Sequence, residues 1–128
     1  MRVSQERRAH PRFACDLEAH LATPGGMTLD ARTVDISFAG ICVTTVAAVQ
    51  PGKDVDFSLK LLLEGVNADS LQVPGHVVWC TPTEGQFQIG AAFREDELSD
   101  SARSGLDVLL RFLSGELEVP SASDDEAE

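Results

Sequence analysis

Apolar side chains recur at every second position through most of this chain, and turns bearing glycine and proline cut the pattern into short pieces. Phe13, Cys15, Leu17, Ala19 and Leu21 are apolar, while Asp16, Glu18 and His20 interleave. A period of two buries one face of a strand and wets the other. The turn TPGG (Thr23–Gly26) follows, and Met27, Leu29 and Ala31 resume the alternation on a strand expected to pair antiparallel with the first. The parity then slips. Val34 and Ile36 are apolar at even positions, which predicts a bulge or bend near Thr33 that re-aims Asp35 and Ser37.

The same grammar continues. ICVTT after Gly40 is β-branched, and VQPGKD (Val49–Asp54) turns into the alternating Val55, Phe57, Leu59 and Leu61. EGVNADS (Glu64–Ser70) reads as a hairpin loop. LQVPGHVVWC (Leu71–Cys80) holds Pro74 and Gly75 in mid-run, which predicts an edge or bulged strand. TPTEGQ turns once more into FQIGAAF (Phe87–Phe93). Six or seven short strands with such turns indicate a mainly β fold, a small barrel or a sandwich. One helix follows, with Ser99 as its N-cap, Asp100 in the first turn and Gly115 as its stop. Leu98, Ala102, Leu106, Leu109, Leu110 and Leu113 form one stripe, expected to lie on the barrel or against a partner.

Charge divides the chain unevenly. Overall it is −11 with a pI near 4.5, yet residues 1–12 hold four arginines (Arg2, Arg7, Arg8, Arg12) against Glu6, a net +3. Residues 13–94 sum to −5 and residues 95–128 to −9. The chain therefore reads as a flexible basic arm (1–12), a body of barrel and helix (13–114) and an acidic tail (115–128) expected to be disordered. So acidic a body argues against nucleic acid as partner, because duplex affinity rests on many Lys and Arg contacts to phosphate. Three scattered cysteines, Cys15, Cys42 and Cys80, make no disulfide framework or zinc site and point to a reducing, cytoplasmic setting. No apolar run reaches the ~18 residues of a membrane span, so no membrane insertion is expected.

Two segments carry groups that complement one another. Arg7, Arg8 and Arg12 offer guanidinium forks, which grip phosphates bidentately and stack on purine faces. DISFAG (Asp35–Gly40) offers a carboxylate that can accept from the N1–H and N2–H of guanine, the Ser37 hydroxyl, and Gly40, where backbone can approach a flat base. Ordering an arm costs about 1–2 kcal/mol per residue fixed. Charge-assisted hydrogen bonds of roughly 1.5–3 kcal/mol each offset that only when a ligand is present. Such an arm is a switch.

These segments, as Arg8-Ala9-His10-Pro11-Arg12 and Asp35-Ile36-Ser37-Phe38-Ala39-Gly40, resemble the two signatures of the PilZ family of cyclic di-GMP receptors. GHVVW (Gly75–Trp79) and IGAAF (Ile89–Phe93) are similar to that family's late strands, and the likeness spans residues 5–114. The resemblance implies a six-stranded antiparallel β-barrel with a C-terminal helix, and cyclic di-GMP as ligand. It implies that Arg8 and Arg12 hold phosphates, that Asp35 and Ser37 bond a guanine edge, and that Gly40 admits the base. Arg7, directly before the first signature, implies two intercalated ligand molecules. A receptor of this size without an output domain would act through an effector protein, which the residues do not identify.

Other readings are weaker. The histidines His10, His20 and His76 lack ligand spacing, so no metal is expected, although His10 is placed to stack on or bond a nucleotide. Trp79, the single tryptophan, is either a core anchor or a ligand-facing ring. Cys42 and Cys80 read as buried thiols. No nucleophile–base pair, P-loop or paired carboxylates support an enzyme. The rival function is a ligand-independent adaptor that docks through the leucine face of its helix.

Overall fold

The computed structural model describes residues 11–60, 62–63, 66–67 and 70–115. Its strands are β1 (Phe13–Ala14), β2 (Glu18–Ala22), β3 (Thr28–Ile36), β4 (Gly40–Thr45), β5 (Asp54–Leu59), β6 (Leu62–Leu63), β7 (Val66–Asn67), β8 (Leu71–Thr83) and β9 (Gln86–Phe93). A 3₁₀ turn (Glu95–Glu97) leads to helix α1 (Asp100–Leu113). Six strands run in the order β3-β2-β5-β8-β9-β4, and β4 pairs back on β3, so the antiparallel sheet closes into a barrel. Closure removes the exposed edges that an open sheet would have to protect. β1 adds a short extra strand beside the end of β3, and β6 and β7 form a separate hairpin. The mainly β, six-stranded barrel with a C-terminal helix is thus the fold. Residues 1–10 of the arm and 116–128 of the tail lie outside the described residues.

Alternation delivers the core. Ala19 and Leu21, Leu29 and Ala31, Val55, Phe57 and Leu59, and Leu71 and Val73 are buried, while most of their neighbours in sequence face outward. Each large side chain so buried contributes roughly 1.5–3 kcal/mol. Helix α1 caps the core. Ser99 Oγ accepts from the Ala102 N–H at 3.0 Å, and Gly115 ends the helix at φ +87°. Leu98, Ala102, Leu106, Leu109 and Leu110 are all buried in the barrel's core cluster, so the leucine stripe is spent inside the molecule.

Three local expectations change. The run from Phe13 to Leu21 is two strands rather than one, parted at residues 15–17. There Thr33, buried at the bulge, replaces ladder bonds with its side chain: Oγ1 accepts from the Leu17 N–H (2.7 Å) and donates to the Cys15 carbonyl (3.2 Å). The expected slip itself is present, because Thr33 faces Val43 while Asp35 faces Cys42, leaving Val34 as the extra residue. Second, of the two alternatives for the Pro74–Gly75 run, edge or bulged, the structure takes the bulged one: β8 is an interior strand, paired with β5 on one side and β9 on the other. Pro74 is tolerated there because β9 ends beside it, and its carbonyl accepts from the Arg94 N–H at 2.9 Å. The bulge in β8 falls later, between Val77 and Trp79. Third, Cys80 is only partly buried, whereas Cys42 is buried as expected.

Candidate functional site

The bulge in β3 and the start of β1 bring the two signature segments together. β1 pairs Phe13 with Ile36 and Ala14 with Asp35, so Arg12 stands at the same end of β3 as Asp35. Arg12 Nε and Nη2 both donate to Asp35 Oδ1, at 2.9 and 2.7 Å. Each of these side chains is about one-third exposed, at 32% and 30%. The pair is therefore shielded on one side and open to solvent on the other. Two charge-assisted hydrogen bonds in that setting hold better than a fully wet ion pair.

The turn from Ser37 to Gly40 follows at once. The Ser37 N–H donates to the Gly40 carbonyl at 2.9 Å, and Ser37 Oγ accepts from the Ala39 N–H (3.0 Å) and the Gly40 N–H (3.2 Å). Ser37 is buried, so its hydroxyl shapes the turn in this structure. Gly40 is required for packing as well: a Cβ there would collide with the carbonyl oxygen of Ala91 on β9. With its neighbours thus bound, the turn presents the Phe38 ring outward, 37% exposed.

Beside Arg12 lies an open cleft of about 250 Å³, bordered by Ala39, Gly40, Val78, Trp79, Gly90 and Ala92. Trp79 is on this wall, 41% exposed, and not in the core. The bulge in β8 is the cause. An extra residue lets Val78 and Trp79, adjacent in sequence, both point outward, which regular alternation forbids. The indole lies across Gly90, where any Cβ would overlap its ring atoms. A flat aromatic wall and a guanidinium thus share one depression, and the guanidinium is bonded to the Asp35 carboxylate. That set can bind a planar, anionic ligand.

A second depression, of about 420 Å³, lies across the same turn. Pro11, Phe13, Phe38, Asp107, Leu110, Arg111 and Ser114 line it, between the arm's root and the C-terminal half of α1. Consecutive residues where the arm meets β1 therefore serve different surfaces: Arg12 lines the Trp79 cleft, while Pro11 and Phe13 line the groove beside the helix.

Arg7, Arg8 and His10 lie outside the described residues. The other two histidines stand apart from the cleft in exposed pairs, His20 with Asp30 (3.2 Å) and His76 with Asp54 (2.8 Å). The hydrogen bond from His76 holds the Asp54 carboxyl below its ordinary range, helped by the positive charge of Arg94. Among the described residues, no group of three or more His, Cys, Asp or Glu side chains could hold a metal ion. No described helix is long and apolar enough to cross a membrane. Cys42, behind Asp35, has its thiol pushed up to about 11 by burial first and by the Asp35 charge second. It is a protonated, unreactive neighbour of the site. Sequence reasoning missed Phe38, Val78 and Gly90. The VVWC run held a signal for the bulge, because three apolar residues in succession break the period of two.

The family model described as PilZ domain matches residues 6–114. Solved structures share the fold at low identity. The PilZ domain of YcgR from Escherichia coli, solved with c-di-GMP, is 14% identical with a TM-score of 0.67, over 93% of this chain and 98% of that one. The inhibitor of motility MotI/DgrA of Bacillus subtilis is 16% identical with a TM-score of 0.67, over 87% of this chain and 53% of that one. PlzA of Borreliella burgdorferi, solved in complex with c-di-GMP, is 19% identical with a TM-score of 0.56, over 83% of this chain and 42% of that one. The chain thus spans about half the length of the inhibitor of motility. No curated protein matches it.

Proposed function

This chain belongs to the PilZ domain family, and on that premise we propose that it is a cyclic di-GMP receptor. The observation that carries the reading is the meeting of Arg12 and Asp35, 23 residues apart in sequence, at the mouth of the cleft walled by Trp79. Each of the two groups is already satisfied by the other. A guanine-bearing phosphodiester replaces both bonds at once: its phosphate takes the guanidinium, and its N1–H and N2–H take the carboxylate. The pair therefore holds the site in shape at little cost and yields only to a ligand that offers both halves. Gly40 leaves room beside the base, and the exposed Trp79 indole supplies a stacking surface.

Arg8 would add its fork to the phosphates, with His10 beside it, and Arg7 would reach the charges of a second, intercalated molecule. Ser37 supports the site by holding the turn, with its hydroxyl engaged by two backbone N–H groups. The receptor acts without catalysis of its own, in the bacterial cytoplasm, through an effector protein that senses the ordered arm. The rival adaptor reading draws no support from the leucine stripe, which is buried against the barrel.

Isothermal titration of the full chain with cyclic di-GMP tests the assignment. Saturable binding that is lost in Arg8→Ala is the expected result. Absence of heat at high concentrations of both components would overturn it.

A further inference from the structure

Helix α1 ends in a reversal. Gly115 adopts φ +87°, and its N–H donates to the Phe112 carbonyl at 3.1 Å, a left-handed stop to the last helical turn. That last turn, through Leu110 and Ser114, is one wall of the 420 Å³ groove whose other wall is Pro11, Phe13 and Phe38. The chain thus leaves the helix at the groove's own rim. Next in sequence come Glu116, Leu117, Glu118, Val119 and Pro120, with two branched apolar side chains at alternate positions. Asp124, Asp125, Glu126 and Glu128 lie farther on.

We propose that residues 116–128 are the occupant of this groove and an internal competitor for the arginine arm. Leu117 and Val119 seat against Phe13 and Phe38, and the acidic end reaches past the turn to the arginines. Charge biases the segment toward the arm. It holds six acidic residues and no basic one, while residues 13–115 hold fourteen acidic against six basic and repel it. The arm, with four arginines against Glu6, attracts it, and on the groove wall Arg111 is paired with Asp107 at 3.5 Å. Reach is ample, since thirteen residues span up to about 43 Å when extended. Pro11 and Arg12 are adjacent, so a segment lying in the groove is already next to the arm. Carboxylates and phosphates compete for the same guanidinium forks, and a tethered competitor acts at an effective concentration on the order of millimolar. The docking stands on the groove and the charges; the competition rests on the receptor reading above.

Two measurements on the full chain test this. In ligand-free NMR spectra, the double variant Leu117→Ser/Val119→Ser is expected to shift the amide resonances of Phe13 and Phe38. The variant Asp124→Asn/Asp125→Asn/Glu126→Gln/Glu128→Gln is expected to shift those of Arg12 and the Trp79 indole. Spectra that superimpose outside the substituted segment overturn the proposal. In titrations with cyclic di-GMP, the four-site variant should bind about three- to tenfold more tightly than wild type at low salt. The gap should close near 1 M salt, where screening acts within about 3 Å. Equal affinity at low salt overturns the competition. If neither chain binds the dinucleotide, the receptor reading falls, and the ligand-free spectra alone decide the docking.

Discussion

Arg12 and Asp35 share a single oxygen: both guanidinium donors, Nε and Nη2, converge on Asp35 Oδ1. The bond ties the root of the arm to the end of β3, next to the bulge that aims the carboxylate outward. An ion pair in this position does two jobs. It tethers the arm's root at the edge of the cleft, and in the proposed receptor it keeps both partners satisfied until a ligand offers replacements.

Asp35→Ala should therefore separate stability from recognition. The exposed side of the pair limits its contribution to folding to about 1 kcal/mol, readable as a small shift in urea midpoint. Binding of cyclic di-GMP should fall by roughly tenfold or more, since the N1–H and N2–H donors lose their acceptor. Wild type should also discriminate strongly against cyclic di-AMP, which lacks that donor pair. Equal affinity for the two dinucleotides would remove Asp35 from the site.

An intercalated pair of ligands predicts a role for Arg7 in ligand count. An intercalated pair of dinucleotides brings four phosphate charges, which Arg8 and Arg12 alone do not balance. Titration of wild type should give two ligands per chain, with marked salt sensitivity, and Arg7→Ala should give one. A wild-type stoichiometry of one, well above the dissociation constant, counts against the intercalated pair and leaves the receptor assignment standing.

Gly90→Ala tests the aromatic wall. The new methyl group would occupy space taken by the Trp79 indole, and the ring is at the surface, so it can swing away. Tryptophan fluorescence should change, ligand affinity should drop several-fold, and the cost in stability should be modest, roughly 1–3 kcal/mol. Unchanged affinity alongside altered fluorescence would mean that the indole does not touch the ligand.

Cys42 links the site to alkaline pH. Its thiol is raised from 9.0 to about 11 by burial and by Asp35. Between those values the unfolded chain releases the proton and the folded chain keeps it. The associated stability is complete below pH 9 and is lost as pH rises toward 11, by about 1–3 kcal/mol in all. Urea midpoints at pH 8 and pH 10.5 should show the fall, and Cys42→Ala should flatten it. Thiol-specific reagents should leave Cys42 untouched in the folded protein at pH 8.

Short-range chemistry was enough to make the barrel legible. Alternation marks which face of each strand is buried, and turn residues mark where strands end. Ser99 and Gly115 bracket the helix because their effects act within one turn of the backbone. The parity slip near Thr33 could be read for the same reason: a side chain that changes face leaves its trace in the local pattern. The two signature segments were likewise visible as residue types at fixed spacing.

Closure of the sheet decided the rest. Nothing local says that β1 pairs with the end of β3, which brings Arg12 to Asp35, or that β9 returns to β4, which sets Gly40 and Gly90 on one wall. Whether β8 lies at an edge or in the interior is likewise a matter of neighbours, and its place between β5 and β9 overrode the signal of Pro74. Trp79 faces outward because of a bulge set by register with β9, and Gly90 matters only because that ring crosses it. Pairing energy depends on residues far apart in sequence, so its consequences belong to the folded chain and to no segment alone.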